Sequence, residues 1–146
     1  MILGFGPDGK LPPGVHWATW GELSERYGAT PWRRQLLVGL QLALENVRQA
    51  GCLSAYVDGS FISSKSEPGD FDACWEEEGV DLERLDPILL AFTDGRAAQK
   101  AKYGGELFPA SAIAGFEEGV FLDFFQTDKD TGARKGIVAL ELGGVT

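Results

Sequence analysis

The chain has 146 residues, 44% of them hydrophobic, which suffices for one substantial core and a single domain over residues 1–146. Its net charge of −9 repels polyanions and removes the counterion-release drive behind general DNA or RNA binding. No apolar run reaches the roughly eighteen residues of a membrane span, and Met1-Ile2-Leu3-Gly4-Phe5 lacks the basic and apolar regions of a signal peptide, so a cytoplasmic protein without membrane contact is expected.

In chain order, Gly4 to Gly14 is broken by Pro7-Asp8-Gly9 and Pro12-Pro13-Gly14 and reads as a loop. Thr19 with Glu22 three residues on is a capping-box pattern, opening a helix of about two turns that ends near Gly28. Thr30-Pro31 repeats the start signal, and Leu36, Leu37, Leu40, Leu44 and Val47 follow at helical spacing until Gly51. Arg33 and Arg34 fall in the first turn of this helix, where the macrodipole disfavours cations. That placement raises a phosphate or acidic partner as one reading, beside the plainer one of two solvated arginines.

Leu53 to Asp58 reads as a strand ending at Gly59, and the stretch to Gly69 is polar and turn-rich. Asp70 to Trp75 follows as a strand with Asp70, Asp72 and Cys74 on one face. Leu82 to Phe92 suits a helical turn or two interrupted at Pro87, Asp94 to Tyr103 a helix closed by Gly104-Gly105, and Glu106 to Pro109 a short edge strand. Val120 to Phe125 has the aromatic density of a central strand, with Asp123 its one charge. Thr127 to Gly136 is a charged loop, and Ile137 to Leu142 a last strand. Helices and strands in this mixed order predict an α/β (α+β) fold, a small mixed β-sheet with helices packed on it. Cys52 and Cys74 both lie in regular segments and are expected as buried free thiols, and with one histidine, His16, no zinc set is available.

An acid inside a strand costs several kcal/mol unless it is paired, hydrogen-bonded or metal-bound. Asp70, Asp72 and Asp123 raise that question, and their hard oxygens suit Mg²⁺ or Mn²⁺ together with substrate phosphates. The plain alternative is a turn cap, a solvated sheet face and a lysine partner.

Gly59-Ser60 directly after a strand, a nine-residue spacer and then Asp70-Phe71-Asp72 resembles the G-S…D-x-D signature of polymerase-β-type nucleotidyltransferases, the minimal nucleotidyltransferases above all. The wider run from Tyr56 to Trp75, with Phe108-Pro109, Phe124-Phe125-Gln126 and Lys135-Gly136-Ile137, resembles a bacterial and phage family of nucleotidyltransferase-like proteins. The resemblance implies triphosphate-binding roles for Gly59 and Ser60 and metal-ligand roles for Asp70 and Asp72. It also implies a third acid on a neighbouring strand, for which Asp123 is placed ahead of Asp58 and Glu76, and Lys65 in the spacer is a candidate phosphate contact. The implied reaction moves a nucleoside monophosphate from an NTP to a hydroxyl of a protein, small molecule or RNA end. A helical or basic protein partner, as in a toxin–antitoxin pair, is the expected companion. Two departures stand out: Phe61-Ile62-Ser63-Ser64-Lys65 replaces the arginine and glycine that usually follow the Gly-Ser pair, and Asp72 runs into Ala73-Cys74-Trp75-Glu76 in place of an aliphatic strand. They support a second reading, a catalytically inactive protein of this fold acting as an interaction or regulatory partner.

Overall fold

A computed structural model describes residues 2–115, 119–128 and 131–142. The chain opens with an irregular segment and then forms β1 (Gly14–Ala18), a strand the Pro-Gly punctuation of the opening had concealed. Thr19 caps α1 (Trp20–Tyr27) through the reciprocal box read from the sequence. Its hydroxyl accepts from the Glu22 N–H and the Glu22 carboxylate accepts from the Thr19 N–H, both at 3.1 Å. Thr30 likewise accepts from the Arg33 N–H at 3.1 Å and starts α2 (Pro31–Gln49). Gly39 sits mid-helix because a Cβ there would lie 1.8 Å from the Tyr103 carbonyl oxygen.

The rest runs β2 (Ser54–Asp58), a 3-10 turn at Ser60–Ile62, β3 (Phe71–Trp75), α3 (Ala97–Tyr103) and β4 (Gly105–Pro109). A small ribbon of β5 (Ile113–Gly115) and β6 (Gly119–Val120) leads into the one-turn α4 (Phe121–Phe124), and β7 (Gly136–Glu141) closes the chain. Of the segment expected to be helical before Asp94, only a 3-10 turn at Pro87–Leu90 forms. Among the described residues, no helix is long and apolar enough to cross a membrane.

Five strands make one mixed sheet in the order β1-β7-β2-β3-β4, antiparallel in its centre and parallel at both edges. The fold is α+β, with the four α-helices of the described residues packed on this sheet. Alternation along the strands divides the side chains between two faces. Ala55, Val57, Phe71, Ala73, Trp75, Leu107, Val138 and Leu140 join Leu36, Leu40, Leu44 and Val47 of α2 in the main core, each valine, leucine or phenylalanine contributing about 1.5–3 kcal/mol. On the opposite face Tyr56, Cys74, Phe108, Ile137 and Ala139 form a smaller cluster, closed by Phe121, Leu122, Phe124 and Phe125. Cys52 and Cys74 are buried and free, as expected.

The expectation of a central strand over Val120–Phe125 is corrected. Phe121, Phe124 and Phe125 fall on one side of a helical turn and seat on the smaller cluster, which turns Asp123 outward. A six-residue run with five apolar members fits either period, and here the open sheet face selects the helix.

Candidate functional site

β2 runs from Ser54 through Ala55-Tyr56-Val57 to its one charge, Asp58, and the chain then turns at Gly59, whose φ of +85° and ψ of −166° suit glycine alone. A Cβ at Gly59 would also lie 2.5 Å from Asp72 Oδ2, so the turn passes directly beside that carboxylate. The neighbouring Gly59 N–H partly offsets the burial of the Asp58 carboxylate, and Ser60 follows at the start of the 3-10 turn.

The loop from Ser60 to Gly69 is held from α2. Arg33 is buried, and its guanidinium donates to the carbonyls of Phe61 at 2.7 Å, Ser63 at 2.9 Å and, through Nε, Lys65 at 3.2 Å. The Trp32 indole donates to the Pro68 carbonyl at 2.5 Å. The arginine in the first helical turn therefore answers to loop carbonyls and not to a phosphate.

Register assembles the acids. Asp58 of β2 lies opposite Asp72 of β3, and Asp72 lies opposite Glu106 of β4, so three adjacent strands present a row of carboxylates on the face that also carries Phe108. Asp70 stands one step along, just before β3 begins. A carboxylate oxygen from each of Asp70, Asp72 and Glu106 falls within 4.8 Å of the other two, a spacing at which they could hold one metal ion.

The members of the row differ in how they are neutralised. Glu106, only 13% exposed, is paired with Arg96 at 3.1 Å and Lys100 at 2.9 Å. Asp58 is buried, and Lys135 Nζ stands 3.5 Å from Oδ1. Burial still pushes its carboxyl up to about 6 against the pull of Lys135. Asp70 and Asp72 have no hydrogen-bond donor or ion-pair partner among the described residues. Burial, followed by repulsion from Asp70, Asp58 and Glu106, raises Asp72 to about 7. Burial and Glu106 raise Asp70 too. An excess of carboxylate at close quarters suits a bound divalent cation, which would reverse both shifts.

This row forms part of a cleft of about 740 Å³, a volume suited to a nucleotide-sized ligand. Gly59, Ser60, Lys65, Asp70 and Asp72 all line it, so five of the six residues selected from the sequence come together. Lys10 and Lys135 supply further cations, and Lys10 pairs with Asp128 at the rim. Asp123 is the sixth and does not join them. It is 62% exposed on α4 and pairs with Arg134 at 3.2 Å, while Glu106 stands where the third acid was expected. Glu106 and Asp58 carry a signal in hindsight, since each is a lone charge in or ending an otherwise apolar strand. Their convergence depends on strand register, which no local pattern encodes.

Residues 3–141 match a family model described as Family of unknown function (DUF6932). No curated protein and no solved structure matches the chain.

Proposed function

The chain belongs to the DUF6932 family, and from the site it carries we propose a metal-dependent nucleotidyltransferase that moves a nucleoside monophosphate from an NTP to a hydroxyl acceptor. The observation that carries this reading is the pair of carboxylates without a direct ion-pair partner among the described residues, Asp70 and Asp72, facing Glu106 beside the Gly59-Ser60 turn. Carboxylate oxygens alone make a hard donor set that fits Mg²⁺ or Mn²⁺. Asp70, Asp72 and Glu106 would hold such a cation, which would supply Lewis acidity toward phosphate oxygens and the acceptor hydroxyl.

The protein's own groups do the rest. The Ser60 hydroxyl, Lys65 and Lys135 line the same cleft and offer a donor and two cations to triphosphate oxygens. Arg33 and Trp32 fix the loop that carries Ser60 and Lys65, so these groups are positioned before substrate arrives. In the transfer the acceptor O–H bond breaks and its proton passes to a carboxylate oxygen of the row. The acceptor oxygen bonds to the α-phosphorus, the bond from that phosphorus to the bridging oxygen breaks, and pyrophosphate leaves.

Titration calorimetry with each NTP, with and without Mg²⁺ or Mn²⁺, tests the reading on the wild type and on Asp70→Ala/Asp72→Ala. Metal-dependent binding lost in the double variant is expected. Absence of NTP binding under every condition would overturn the proposal and favour a protein-binding role for the acidic face.

A further inference from the structure

The end of the cleft next to the acid row is aromatic, and we propose that Phe121 and Phe124 form a stacking seat for the nucleobase, so that the substrate is held by its base as well as its phosphates. This inference rests on the nucleotidyltransferase reading of the acid row.

Three observations lead to it. Glu106 and Phe108 are two residues apart on one face of β4, about 6.6 Å along the strand, so the carboxylates and the aromatic end lie within the reach of one nucleotide. Phe92, Phe108 and Phe121 are nearly parallel, with interplanar angles of 11° and 12° along the series, and Phe108 and Phe121 stack with centroids 4.0 Å apart. Phe108 and Phe125 are buried, whereas Phe121 and Phe124 are half-buried on α4 and line the cleft, leaving aromatic surface available there.

The Phe121 and Phe124 planes cross at 80°, so a base stacked face-on against Phe124 meets Phe121 edge-on, and it gains energy that grows with its area and is indifferent to its hydrogen-bonding edge. The seat therefore accepts any base and favours purines over pyrimidines. Phe121 stacks on buried Phe108 with centroids 4.0 Å apart, while Phe124 meets Phe121 and Phe125 at 6.4 and 5.7 Å, so Phe124 is the residue to alter first.

The test measures dissociation constants in saturating Mg²⁺ for ATP, CTP and inorganic tripolyphosphate on the wild type, Phe124→Ala and Phe124→Trp. In the wild type ATP binds about tenfold tighter than tripolyphosphate, with CTP between them. Phe124→Ala removes most of the ATP advantage while leaving tripolyphosphate unchanged, and Phe124→Trp restores it. ATP binding no tighter than tripolyphosphate in the wild type, or a Phe124→Ala variant that weakens both ligands equally, overturns the base seat and leaves the phosphate and metal reading standing. If neither ligand binds, that reading falls and the base seat with it.

Discussion

The helix-covered face of the sheet and the opposite face are built from the same five strands to different ends. On the first, α2 lays a stripe of leucines over Val57, Ala73 and Val138, and side chains such as Leu40, Leu44 and Leu107 are fully buried. The second is only half covered: Phe121, Phe124 and Phe125 close the end that carries Tyr56 and Phe108, and the end that carries Asp58, Asp72 and Glu106 faces the cleft. One face resists water and supplies stability. The other keeps unneutralised carboxylates at a cost, which makes sense if a cation and its ligand complete that end. Substitutions on the two faces should therefore fail in different ways.

The largest effect is expected on the covered face. Leu44→Ala leaves a cavity in a fully buried position and lowers unfolding free energy by about 2–5 kcal/mol in a urea titration. Below the onset of unfolding it leaves metal-dependent ligand binding near that of the wild type. A loss of binding without a loss of stability would break the division between the faces.

Arg33 links the two, since it belongs to α2 and holds the loop of the open face. Arg33→Lys removes the fork that serves the Phe61 and Ser63 carbonyls and is expected to cost about 1–3 kcal/mol. It also weakens NTP binding, because Ser60 and Lys65 lose their support. Calorimetry and a melting curve on one preparation separate the two consequences.

Asp72 gives the open face a pH signature. Its carboxyl is raised to about 7 when folded, from an ordinary value of 3.8. The folded state thus binds the proton more tightly, and this contribution to stability is complete below about 4 and is lost as pH climbs through about 7. Melting temperature should fall over that window in the absence of divalent cations. Asp72→Asn should flatten the fall and be the more stable protein at pH 8. Mg²⁺ should restore stability at pH 8 to the wild type alone.

The smallest effect is expected at Asp123. Its pair with Arg134 is exposed, so Asp123→Asn should change stability by less than about 1 kcal/mol and leave metal and NTP binding untouched. A large loss of binding would return this residue to the site.

The covered face is largely written in the local sequence. Thr19-Glu22 and Thr30-Pro31 mark helix starts, leucine spacing marks the buried stripe, and Gly51 and Gly59 bracket the strand between them. Part of the open face is legible in the same way, because alternation alone puts Asp70 and Asp72 on one side. What is hidden there depends on partners distant in sequence. Asp72 meets Glu106 only through the β3–β4 register, and Phe121–Phe124 becomes a helical turn only because the sheet face beneath it needs a cover. Likewise β1 is a strand because β7 pairs with it over five residues, not because Gly14-Val15-His16-Trp17-Ala18 announces one.

The measurement that bears most directly on the open face is titration of Mn²⁺ followed by electron paramagnetic resonance, on the wild type and on Asp70→Asn/Asp72→Asn. Saturable loss of the free-ion signal is expected with the wild type and none beyond background with the double variant, in which neutral amides replace both carboxylates. Equal retention of the ion by both proteins, or by neither, would contradict the claim that this half-covered face is a cation site.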